Sequence, residues 1–299
     1  MQMQRTKAVA TALLAVALIA LGLAGTAQAE LTGAFTRFAQ CPYKNTEVRK
    51  CIHSLTESGE VVLGSKKVPI VNPVTLQGGA GPVDEVTEMA KMFAATNGVT
   101  LSKTPQPVPG GLAGLVNCKE IKEPILRAAC ELALETGPTG LNSTLELARP
   151  ASEVLLSEFR IAAEEGVGLV MPVKVHLENP FLGSNCYVGS EGSPITWNLT
   201  SATTSPPPPN TPISGFGGEG EFLEESRIVA LKNNKIVDNA WAAPGASGCG
   251  GFLVELILDP IINAAAGLPA KAGTNTAILK STVSSSPAVT VKKNDEENP

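Results

Sequence analysis

Histidine is nearly absent from this 299-residue chain, which holds only His53 and His176. A Ser-His-Asp relay would have to use one of them, and neither stands beside a nucleophile motif. The nearest approach to a nucleophile elbow, Gly245-Ala246-Ser247-Gly248-Cys249, lacks the last glycine of G-x-S-x-G, so it reads as a turn presenting a bridged cysteine. Aromatic residues make up 4% of the chain, with Trp197 and Trp241 as its tryptophans and Tyr43 and Tyr187 as its tyrosines. Sugar-binding platforms rely on such rings, so a carbohydrate module is not supported. An excess of positive charge is lacking too: the net charge is −5, whereas nucleic-acid binding needs a basic footprint. There is no Walker loop, H-E-x-x-H pair, EF-hand spacing or C-x-x-C, so neither a metal nor a cofactor is expected.

Two weaker patterns fail on context. Gly215 to Gly220 matches G-x-G-x-x-G, but it follows a proline-rich stretch instead of a strand. Glu219, Glu221, Glu224 and Glu225 form the densest acidic cluster. A glycosidase needs two carboxylates at a defined separation, and a run of this kind reads as a solvated face. Asn142-Ser143-Thr144 and Asn198-Leu199-Thr200 match the glycosylation sequon, which modifies nothing without host machinery.

What is present at the N-terminus sets the compartment. Arg5 and Lys7 precede an uncharged apolar run from Ala8 to Ala24, and Ala27-Gln28-Ala29 is a small-x-small site. These are the parts of a secretory signal peptide, residues 1–29, with cleavage expected between Ala29 and Glu30. The run is about 17 residues, at the lower limit for spanning a bilayer, and no second run of about 18 follows. A secreted, extracellular or cell-surface location is therefore expected.

All six cysteines, Cys41, Cys51, Cys118, Cys130, Cys186 and Cys249, lie beyond that leader. An even number in an exported chain points to disulfides. Proximity favours Cys41–Cys51 and Cys118–Cys130, which leaves Cys186–Cys249.

The clearest strand runs through Val170 to Glu178, where Val173, Val175 and Leu177 alternate with Lys174, His176 and Glu178. That puts apolar and polar sets on opposite sheet faces, and Pro172 is expected at a strand start or edge. Further strands are expected within 60–76, over 142–147 and 154–162, and over 275–283. A hairpin turning at Lys232-Asn233-Asn234 is expected within 227–241. Helical spacing of Val83, Val86, Met89, Ala90 and Phe93 predicts a helix from Pro82 to Asn97, and another is expected from Pro124 to Gly137. Pro260 to Ala266 reads as a short helix stopping at Gly267. The fold class is mainly antiparallel β, a β-sandwich or barrel-like sheet with two or three short helices and disulfides. Residues 30–283 read as one domain carrying a Pro-rich loop at 201–220, and 284–299 as a disordered polar tail.

The segments VKVHLENPFLGSNCYVGS, SPITWNLTSATTSPPPPN, VDNAWAAPGASGCG and IINAAAGLPAKAGTNTAILKST, with GPTGLNSTLELARP upstream, resemble a group of secreted actinobacterial proteins. The resemblance covers most of the chain after Cys41. It implies an exported, cysteine-bridged, β-rich domain and no activity. The expected function is a non-catalytic secreted or cell-envelope-associated protein, a binding or structural module. The alternative is a carrier of an apolar small molecule in a β-barrel or sandwich cavity, and a hydrolase with dispersed residues is the weaker one. Oligomeric state is not readable from these features.

Overall fold

The computed structural model describes residues 31–298 apart from 116–117, 121, 123, 125–126, 129–130, 132–133, 136–138, 224–226 and 252–253. The signal segment, the Ala29/Glu30 junction, Cys130, Glu224 and Glu225 lie outside the described residues, as does much of the stretch expected as a helix after Pro124.

The described chain builds β1 (Lys50–Leu63), β2 (Lys66–Ile70), β3 (Val74–Val83), β4 (Ala90–Phe93), β5 (Gln106–Pro107), β6 (Asn142–Leu147), β7 (Leu155–Leu156), β8 (Leu169–Glu178), β9 (Tyr187–Val188), β10 (Ile195–Leu199), β11 (Glu219–Leu223), β12 (Ile228–Asp238), β13 (Ala246–Ser247) and β14 (Thr276–Pro287). They form one antiparallel sheet in the order β11-β12-β14-β1-β3-β4-β7-β8-β6-β5, with β2 on β1, β9 and β10 on β8, and β13 on β9. Just beyond β10, Thr200 and Val237 exchange both backbone hydrogen bonds, at 3.0 and 2.8 Å. Beside them the Asn198 N–H donates to the Asp238 carboxylate at 2.6 Å. Pairing thus runs round a closed circuit from β12 through β14, β1, β3, β4, β7, β8 and β10 back to β12. The sheet is curled into a barrel, which leaves few exposed edges.

Among the described residues it is accompanied by the short α-helices α1 (Gly111–Leu115), α2 (Glu158–Ala163), α3 (Glu255–Ala266) and α4 (Ala288–Glu297). One hydrophobic cluster fills much of the barrel interior, around Val173, Ile195, Trp197, Leu199 and Ile262. A smaller one lies outside β1 and joins Phe38, Cys41, Cys51, Ile228, Ala288 and Val291. The Cys41–Cys51 bridge (Cα–Cα 5.4 Å) staples the N-terminal segment onto that outer cluster.

Several expectations are corrected. The helix predicted from Pro82 to Asn97 is the end of β3, a turn and β4. Asp84 does not open a helix; its Oδ1 accepts from the N–H groups of Val86 and Thr87 and from the Thr87 hydroxyl, which closes a turn. Ala90 and Met92 alternate inward and pair with distant residues, so strand partners override local spacing. The strand expected over 154–162 is two residues of β7 followed by α2, whose N-cap Ser157 accepts from the Arg160 N–H. The hairpin at Lys232-Asn233-Asn234 is instead a bulge within the single strand β12. There the buried Asn234 side chain donates to the Leu231 carbonyl and accepts from the Ser281 hydroxyl, which anchors the extra residues of the bulge. Pro172 lies within β8, with strands on both sides. β7 pairs only as far as Val170 and β6 starts at Val173, so the missing N–H falls in the gap between them. The tail expected to be disordered completes β14 and forms α4, which buries Ala288, Val291 and Asp295 at helical spacing. The Pro-rich loop is tied down where the Asn210 side chain donates to the carbonyls of Asn239 and Asn275.

His53 lies on the outward face of β1, opposite Ser284 of β14, whose hydroxyl accepts from Arg37 at 3.0 Å. Burial, and then the Arg37 charge, holds the imidazole below its usual pKa. The unfolded chain therefore takes up this proton at a higher pH than the folded one. The stabilisation is complete above about pH 6.5 and is lost as pH falls from there toward the folded value. Denaturant titrations from pH 7.5 to 5.5 should show declining stability, with a slope for this group of at most about 1.4 kcal/mol per pH unit. His53→Gln should flatten the decline, and an unchanged slope in that variant would count against the assignment.

Candidate functional site

Inside the barrel lies a cavity of about 110 Å³, counted as space open to the centres of water molecules. Its wall comes from β1, β2, β3, β5, β6, β8, β9, β10, β12 and β14, with Leu115 of α1 and Ala266 of α3. A bulge shapes one side. Ser54 and Thr56 of β1 face inward; the register then slips between Thr56 and Ser58, so that Val61 and Leu63 face inward in turn. Without that slip Glu60 would point into the cavity. With it, Glu60 pairs outside with Lys67 at 2.6 Å. Gly59 beside the slip has φ +147°, and a Cβ there would collide with the Ile278 carbonyl, so this crossing of β1 over β14 needs glycine.

The wall runs unbroken from Ser54 to Leu63, roughly 25 Å along a strand. Spread over that length, the volume gives a bore about 5 Å wide once the water radius of about 1.4 Å is added back. Carbon atoms in contact sit about 4 Å apart, so the space takes atoms in single file. Val61, Leu63, Val68, Val74 and Leu145 line it and stay only partly buried. On β6 the usual order is inverted: Thr144 and Glu146 on the outward face are buried, while Leu145 on the inward face keeps accessible surface.

The ends of the bore are polar. Ser54 and Thr56 present hydroxyls at one end of the β1 wall, Ser143 lines it beside Gln106, and at the other end stands Lys66, the sole charged side chain among the described lining residues. Gln106 also contributes to the wall, but its amide is used up: it accepts from the N–H groups of Val71 and Asn72 and donates to the Asn72 and Thr104 carbonyls.

His176 lies on the opposite face of the sheet. Register places Thr144, His176, Tyr187 and Ser247 side by side across β6, β8, β9 and β13. The imidazole stacks on Tyr187 at 4.4 Å, and the Lys174 ammonium lies 4.2 Å from the centroid of the same ring. Burial, with the nearby Glu146 charge, raises the Tyr187 phenol above its usual pKa. Glu178 and Glu146 approach the same imidazole nitrogen, Nδ1, at 3.4 and 3.9 Å. Nε2 is buried without a hydrogen-bond partner, as is Thr144 Oγ1. Ser247 belongs to the row but stands two strands from His176, roughly 10 Å, with the Tyr187 ring between. Among the described residues no hydroxyl therefore bonds to the imidazole at the nitrogen opposite a carboxylate.

The Gly245–Cys249 turn is held by Asp259 of α3, whose carboxylate accepts from the N–H groups of Gly248 and Cys249 at 3.1 and 2.9 Å. Cys186 and Cys249 are bonded and fully buried, and Cys118 is also in a disulfide. The G-x-G-x-x-G match runs into β11, so a strand follows it. Glu219 is exposed and Glu221 pairs with Lys232 at 2.8 Å. Trp241 is buried past the end of β12, its Nε1 donating to the Asp238 carbonyl. Among the described residues no three His, Cys, Asp or Glu side chains are grouped to hold a metal, and no helix is long and apolar enough to cross a membrane.

No family model, curated protein or solved structure matches this chain.

Proposed function

We propose that this chain is an exported, non-catalytic binding protein that carries a slender apolar ligand inside its barrel. The observation that carries the reading is the apolar-lined cavity inside the barrel, onto which the partly buried Leu145 opens. An apolar wall ended by a few polar groups is the usual make-up of a small-molecule site. Export is supported by the leader pattern at 1–29 and by the disulfides, which persist in oxidising compartments.

Protein collected outside the cell should have an intact mass beginning at Glu30. After delipidation it should bind an environment-sensitive apolar dye that long-chain compounds displace. Leu145→Trp should fill the bore and weaken the dye at least tenfold. Because the bulk enters existing space, the fold should be retained with little overpacking strain. A folded Leu145→Trp protein that binds like wild type would refute the carrier reading, as would wild type that binds no dye at all.

A further inference from the structure

Resting on the carrier reading, we infer that the ligand is a single-chain carboxylic acid whose carboxylate sits on Lys66. The bore sets the shape. With a mean width of about 5 Å over roughly 25 Å it suits methylenes in single file better than fused rings or paired chains. One lipid tail spans about half of a roughly 30 Å bilayer core, so a complete tail fits along β1.

Charge sets the headgroup. Lys66 begins β2 directly opposite Leu63, at the end of the bore where α1 and the last turn of α3 also reach the wall. Its ammonium donates to the Gly114 carbonyl at 2.6 Å, which uses one of three donors. The adjacent Lys67 is paired with Glu60, but Lys66 has no ion pair among the described residues. The end at Ser54 and Thr56 offers only neutral hydroxyls. A carboxylate taken out of water needs a counter-charge, and only the Lys66 end supplies one. Lys66 is half-buried, so its head stays near water while its stem lies on the apolar wall.

The test uses the delipidated full-length secreted protein at pH 8 and three probes of equal length: hexadecanoic acid, hexadecan-1-ol and hexadecane, each displacing the bound dye. Wild type should bind the acid at least tenfold more tightly than the alcohol. Lys66→Met should abolish that ratio, and Lys66→Arg should restore it. A role for Lys66 limited to tethering α1 would move acid and alcohol together. Equal affinity of wild type for acid and alcohol would overturn the inference without any variant, and so would a ratio that survives Lys66→Met. In either case the carrier reading would stand. Failure of all three probes to bind would bring down the carrier reading itself.

Discussion

Replacing Cys186 and Cys249 together by alanine should lower the unfolding free energy by roughly 4 kcal/mol, the loop-entropy value for a bridge spanning this much chain. The two cysteines are 63 residues apart in sequence and their Cα atoms are 4.2 Å apart. Between them run β10, the Pro-rich loop, β11 and β12, so the bridge restricts about a fifth of the unfolded 299-residue chain. In the folded state the junction is otherwise held by the two-residue pairing of β9 with β13 and by the Gly250 N–H donating to the Leu182 carbonyl at 2.7 Å. Asp259 adds its two charge-assisted bonds to the same turn. The Cys41–Cys51 bridge closes a loop of sequence separation 10, so for Cys41→Ala with Cys51→Ala the same relation predicts a smaller loss of about 3 kcal/mol. Denaturant unfolding followed by tryptophan fluorescence measures both. A loss below 1 kcal/mol for the 186/249 pair, or a reversed order, would show that the hydrogen bonds around Asp259 hold the junction without the bridge.

The strands that frame the site are legible because their alternation is local. Val173, Val175 and Leu177 declare β8, and Leu145 and Leu147 declare β6, from spacing alone. The bore is not legible. Leu145 carries the same sequence signal whether it faces packed side chains or open space, and the difference arises only from the summed volumes of ten strands. Misread segments share one cause, a long-range partner that local spacing does not reveal. Met89 to Phe93 has helical composition, yet Met92 is placed by the Val154 carbonyl and by pairing with Ala80. Asn233-Asn234 has the composition of a turn, yet the Asn234 side chain replaces the missing ladder bonds and lets β12 continue. The terminal helix did leave a signal: Ala288, Val291 and Asp295 share one helical face, and Lys292–Glu296 and Lys293–Glu297 are i,i+4 pairs. Charge content alone concealed it. Of the candidate site, Ser54, Thr56 and Lys66 carried no motif. Lys66 becomes notable only once the bulge in β1 has turned Glu60 away and left one cation at the mouth.

Trp197→Ala should destabilise the protein by about 3–5 kcal/mol, the range for truncating a fully buried large aromatic. Trp197 is 1% exposed, stands opposite Met171 in the β8–β10 pairing and forms part of the bore's wall. Its ring meets Trp241 at 5.9 Å and 58°, a tilted contact that adds about 0.5–1.5 kcal/mol beyond area burial. Trp197→Phe should be far milder. The indole Nε1 is buried with no hydrogen-bond partner, so phenylalanine removes an unsatisfied donor while keeping a ring, and a loss under about 1.5 kcal/mol is expected. The two variants also separate packing from binding. Alanine widens the bore beside Met171, so a stable fraction of that protein should accept ring-bearing probes that wild type rejects. Phenylalanine should leave the preference for slender chains in place. Denaturant melts give the stabilities, followed by circular dichroism because the substitution removes one of the two fluorophores. Dye displacement by a straight-chain and a fused-ring probe gives the selectivity. If Trp197→Ala costs no more than Trp197→Phe, the ring does not support the wall. If its folded fraction still excludes the fused ring, the bore at Trp197 is not what sets ligand width.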